Sequence, residues 1–145
     1  MNGEKNLNTL LKNMTPVLND EEYVFVTLEG FYGDYSHLKP LCSFNEKEGL
    51  TLIIPKLEAE LHGMASDGVF KYITLEVHSS LNAVGLTAAV SARLADNEIS
   101  ANVVAAFYHD HIFVQAEHAD RAFMLLKELS VQSLPENQCS ADNRS

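Results

Sequence analysis

Residues 84–104 read VGLTAAVSARLADNEISANVV, a helical pattern that passes directly into a strand pattern. Leu86, Val90 and Leu94 recur at four-residue steps with alanines beside them, which describes a closely packed helix. Gly85 opens the run, and Asn97 is its expected left-handed terminator. Ile99 to Tyr108 and His111 to Gln115 then read as two strands joined by a hairpin across His109-Asp110. Upstream, Phe70, Tyr72, Thr74 and Glu76 alternate against Lys71, Ile73, Leu75 and Val77, so Val69 to Val77 is a strand with faces of unequal polarity. His78 to Val84 is its connecting loop. Downstream, Ala119, Ala122, Phe123, Leu126 and Leu129 repeat at three and four, marking an amphipathic helix, and Ser130 to Leu134 is expected to follow as a short strand. Residues 69–134 therefore predict β-α-β-β-α-β, with two helices covering one face of an antiparallel sheet.

The first half follows the same plan less regularly. Leu7, Leu10, Leu11 and Met14 share one face of an N-terminal helix that Pro16 helps to end, and Tyr23 to Leu28 is a β-branched and aromatic strand. Residues 29–40 are expected as a loop carrying Phe31, Tyr32 and Tyr35. Leu41 to Phe44 and Leu50 to Ile54 predict a hairpin around residues 45–49. Pro55 then opens a short helix with Leu57, Leu61 and Met64 along one face. The expected organisation is a first module over 1–68, a second over 69–134 and a disordered, proline-led tail over 135–145. Each module leaves one sheet face uncovered, so pairing of modules and a homodimer are expected.

Composition narrows the function. The 145 residues are 46% hydrophobic, enough for a real core. Ten Lys and Arg against twenty Asp and Glu give a formal charge of −10. No basic patch is offered to phosphate backbones or anionic lipid, so neither nucleic acid nor membrane is an expected partner. No apolar run approaches the ~18 residues of a membrane span, and the first twenty residues lack a signal-peptide core, so a cytoplasmic location is expected. Cys42 and Cys139 share no metal-type spacing and are expected to be reduced.

The stretch from Val84 to Val104 resembles the ACT domain, the small regulatory amino-acid-binding module. A glycine opens the helix, alanines run through it, Leu94-Ala95 stands near its end and Ile99-Ser100 starts the next strand. Phe107 to Val114 resembles the hairpin of the ACT pairs in aspartokinases and cytosolic arginine sensors. Gly3 to Leu7, Glu22 to Phe25 and Glu48 to Ile53 resemble the first module of small stand-alone bacterial tandem-ACT proteins. The resemblance implies an α+β fold of two ferredoxin-like ACT modules in tandem with antiparallel sheets. It implies a non-catalytic protein that binds a small molecule, most simply an amino acid, at a module interface and signals by altered assembly.

By matching positions, the implied ligand contacts are Asn82, Val84, Gly85, Leu86 and Thr87, with Ser100 and Asn102 reaching across from the next strand. A helix N-terminus offers free N–H groups and partial positive charge to a carboxylate, and glycine lets the backbone approach. Ser100 and Glu98 stand where the aspartokinase pattern commonly has asparagine and glycine, which argues against lysine or threonine as ligand. Gly85 is equally suited to close helix–sheet packing.

Two other function classes compete: an interaction scaffold without ligand, and a small metalloenzyme using His109 and His111. Imidazoles are reasonable metal ligands, but these two straddle a hairpin turn, with no helical His pair or cysteine to complete a tetrahedron. No nucleophile elbow, phosphate loop or dinucleotide fingerprint is present. No metal, cofactor or catalytic residue is therefore expected.

Overall fold

The computed structural model describes residues 2–77 and 85–132. In chain order it contains α1 (Asn2–Lys12), β1 (Met14–Leu28), a 3₁₀ segment (Tyr32–Leu38), β2 (Cys42–Glu46), β3 (Gly49–Pro55) and α2 (Lys56–Leu61). Then come β4 (Phe70–Val77), α3 (Leu86–Ala95), β5 (Asn102–Ala105), β6 (Asp110–Gln115), a 3₁₀ turn (Ala116–His118) and α4 (Ala119–Gln132). The chain divides into two compact units, one of residues 19–71 and one combining 1–18 with 72–145. The first is thus inserted, along the chain, between two segments of the second.

In the inserted unit the strand order is β2-β3-β1, antiparallel throughout. The register pairs Val24 with Ile54, Val26 with Leu52 and Leu28 with Leu50. Because side chains alternate across a strand, these six share one face. Leu38 from the 3₁₀ segment and Ala59 from α2 bury against Val24, Val26, Leu50, Leu52 and Ile54, and Leu28, Tyr35, Met64 and Val69 pack at the edge.

The other unit orders its strands β4-β6-β5. Ile73 and Leu75 of β4 and Ile112 and Val114 of β6 face Leu86, Val90 and Leu94 of α3 and Ala119, Ala122 and Leu126 of α4. All ten are at most 1% exposed. Leu11 and Met14 enter the same core, so α1 belongs with the C-terminal segment and not with the module that follows it in sequence. The reason is its apolar stripe, which finds its cover on α3 and α4.

Several local expectations are corrected. Strand β1 begins at Met14, well before Tyr23, and carries Pro16 within it. Residues 32–38 form a 3₁₀ segment and not plain loop. Leu57 and Leu61 are 69% and 76% exposed, and the buried residue of α2 is Ala59. In a helix of so few turns only one side meets the sheet, and Ala59 lies roughly 200° around from both leucines.

The α3 terminator is Glu98, at φ 61°, and not Asn97. Ile99 N–H reaches the Leu94 carbonyl at 2.9 Å and Glu98 N–H the Ala95 carbonyl at 3.0 Å, the Schellman pairing that needs its left-handed residue at this position. Ile99 is spent on that cap, buried with Leu94, so β5 starts only at Asn102. The hairpin turn is Ala106 to His109, with Ala106 N–H on the His109 carbonyl at 3.0 Å. Asp110 already pairs with Ala105 in the ladder. Finally, Ser130 to Gln132 continue α4 and are not strand. The expected loop 78–84 and tail 135–145 lie outside the described residues.

Candidate functional site

Gly85 is the N-cap of α3 with φ 93° and ψ −19°, a left-handed conformation that glycine adopts without steric cost. Its carbonyl accepts the first helical hydrogen bond, from Ala89 N–H at 2.9 Å, so the N–H groups of the first turn remain for other acceptors. A Cβ added at Gly85 would lie 3.8 Å from Leu7 Cδ1 of α1, an ordinary contact. Leu86 directs its side chain into the core with no exposure, whereas Thr87 is exposed. Asn82 and Val84 lie outside the described residues.

Ser100 is exposed on the segment that leads into β5. Asn102 opens β5 opposite Phe113, and its Nδ2 donates to the Phe113 carbonyl at 3.3 Å. Its amide therefore closes the strand pair in this state. Gly85, Leu86 and Thr87 form one corner by adjacency, while Ser100 and Asn102 sit beyond the far end of α3.

The histidines of the β5–β6 hairpin play separate parts. His111 Nδ1 lies 2.9 Å from Thr74 Oγ1, and its ring meets Tyr72 edge-on at 5.7 Å. Burial lowers its pKa from the ordinary 6.5, the neighbouring His109 lowers it further and Asp110 opposes both. His109 Nδ1 is buried without a hydrogen-bond partner among the described residues. No three His, Cys, Asp or Glu side chains among the described residues converge to hold a metal ion.

Two clefts in the inserted unit were not legible from sequence. One, of about 340 Å³, is lined by Asp20 to Glu22, Pro55 to Leu57, Glu60 and Lys71. Lys56 pairs there with Glu22 at 3.5 Å and Glu60 at 3.8 Å, and Lys71 with Asp20 at 3.5 Å. The other, of about 430 Å³, lies between Glu29 to Phe31 and the hairpin Asn45 to Leu50.

No described helix is long and apolar enough to cross a membrane. Two ACT-domain family models match the chain, one over residues 2–71 and one over 69–128. Among solved structures, a Vibrio cholerae protein of unknown function, described as a possible transport protein, is similar at 48% identity. It covers 87% of this chain and 97% of its own, with a TM-score of 0.82. An Agobacterium tumefaciens protein is 15% identical over 81% of this chain and 90% of its own, with a TM-score of 0.64. The ligand-free regulatory subunit of aspartate kinase from Thermus thermophilus is 8% identical over 81% and 98%, with a TM-score of 0.55. The last two are similar in fold alone. No curated protein sequence matches the chain. The matches over both halves, together with the helix-over-antiparallel-sheet architecture, show that the chain belongs to the ACT domain family as a tandem of two such domains.

Proposed function

We propose that the chain is a non-catalytic regulatory protein that binds an amino acid and passes the occupied state to a partner through altered assembly of a homodimer. ACT domains are regulatory small-molecule-binding modules, and the match over both halves supports that class. The observation that carries the site assignment is Gly85, a left-handed N-cap on a ten-residue helix. Its first-turn N–H groups suit a ligand carboxylate without any basic side chain. Asn82, Val84, Gly85, Leu86 and Thr87 of the second module, residues 69–134, form the proposed contact set, whereas Ser100 and Asn102 of the same module stand beyond the opposite end of α3. Ligand binding shifts assembly only if it favours one arrangement over another, which a site at a module interface supplies.

The test is a thermal-shift panel of the common amino acids on the purified chain, with particle size read on the same samples. A ligand at 100 times its Kd adds about 2.7 kcal/mol and raises the midpoint by several degrees. Gly85→Asp, which puts a carboxylate where the ligand's would lie, is expected to abolish the response while the fold persists. Unchanged affinity in that variant would move the site elsewhere.

A second reading, an oligomeric scaffold without ligand, is favoured by exposed aromatics. Phe44 on β2 is 68% exposed, and Phe107 and Tyr108 at the hairpin tip are 92% and 83% exposed. A flat panel with an unchanging oligomer would select it.

A further inference from the structure

Two histidines far apart in sequence stand together in the unit of residues 19–71. His37 lies in the last turn of the 3₁₀ segment and His62 caps the C-terminus of α2. Their ring centroids are 5.2 Å apart, edge-on at 62°. Two imidazoles on one tetrahedral ion, with metal–nitrogen bonds of ~2.0–2.1 Å, hold their centroids ~5 Å apart. The observed centroid separation matches that value.

A second observation concerns which nitrogen is free. His62 Nδ1 lies 2.9 Å from the Glu58 carbonyl oxygen, which can only accept, so in the neutral ring Nδ1 carries the proton and Nε2 a lone pair. Glu58 Oε2 is 3.9 Å from the same Nδ1. A carbonyl and a carboxylate behind the far nitrogen are the outer-shell partners that orient metal-binding histidines. Glu58 is itself held, with only 13% of its side chain exposed and Lys39 Nζ 3.2 Å from Oε1. Both rings reach solvent, which gives an ion its entry path.

We propose that His37 and His62 form a two-imidazole site for a borderline divalent transition-metal ion such as Zn²⁺ or Ni²⁺. Water fills the remaining positions, because no third His, Cys, Asp or Glu among the described residues completes a metal-holding group. Nitrogen donors select these ions over Mg²⁺ and Ca²⁺, which take oxygen. The bound ion cross-links the 3₁₀ segment to α2 and so stabilises the folded inserted unit over the open chain.

Calorimetric titration of the full chain with zinc chloride and nickel chloride tests this. One site is expected, weakened about tenfold or more by His37→Ala and equally by His62→Ala, and unchanged by His118→Ala. The thermal midpoint is expected to rise with the ion in the unsubstituted chain and not in either of the first two variants. Binding that survives both substitutions, or an equal response to magnesium chloride, overturns the proposal. Should a variant fail to fold, substoichiometric Cu²⁺ added to the unsubstituted chain still decides it. The imidazole NMR signals of His37 and His62 should broaden first, and broadening led by another histidine overturns the site.

Discussion

The hydroxyl of Ser130 on α4 lies 2.9 Å from the carbonyl of Leu11 near the end of α1, and 2.9 Å from that of Met14 where β1 begins. The last helical carbonyls have no partner inside their own helix, so a side chain from another element supplies one. Ser130→Ala removes that donor at a half-buried position. A loss of about 1–2 kcal/mol in stability is expected from urea unfolding. A midpoint equal to that of the unsubstituted chain would mean that water satisfies these carbonyls just as well.

Leucines of α2 and α3 should respond unequally to truncation. Leu94 is fully buried, so Leu94→Ala leaves a cavity and is expected to lower stability by about 2–5 kcal/mol. Leu57 is 69% exposed, and Leu57→Ala should stay within about 0.5 kcal/mol. Comparable losses from both substitutions would show that α2 buries its leucines in solution.

His111 makes stability depend on pH with a definite sign. Burial and the nearby His109 hold its folded pKa below the ordinary 6.5, so between these values the unfolded chain binds more protons. Its contribution is complete above 6.5 and is lost as pH falls through 6.5 and then through the lowered value. His111→Gln should flatten the fall in thermal midpoint on this range. A variant with the same slope as the unsubstituted chain would place the titration elsewhere.

At Gly85 the backbone itself resists substitution. The space beside it is ordinary, with Leu7 at 3.8 Å, but φ of 93° is strained for any residue with a Cβ. Gly85→Ala is expected to cost about 1–2 kcal/mol, read from urea unfolding. A neutral or stabilising result would mean that the corner relaxes to negative φ.

Periodicity alone was enough to place α3, α4, β4, β6 and the β2–β3 hairpin. Leu86, Val90 and Leu94, or Leu52 and Ile54, each bury through spacing that any helix or strand would impose. Those elements predicted β-α-β-β-α-β, and the ACT fold was what the resemblance around Gly85 implied. Element ends were less legible, because a cap or turn is settled by a single hydrogen bond. Glu98 took the left-handed position from Asn97 once Ile99 and Leu94 closed the Schellman pair. Asp110 entered the ladder once Ala106 met His109.

Contacts between distant residues were decided by tertiary structure. Sequence showed that α1 has an apolar stripe, but only packing assigned that stripe to Ile73, Leu86 and Leu126 and not to the strands that follow it. The approach of His37 to His62 and the grip of Ser130 on Leu11 likewise join residues whose sequence neighbours give no sign of them. Local pattern records which side of an element is apolar. Which surface covers that side depends on how the whole chain closes around its cores, and no window of neighbouring residues contains that information.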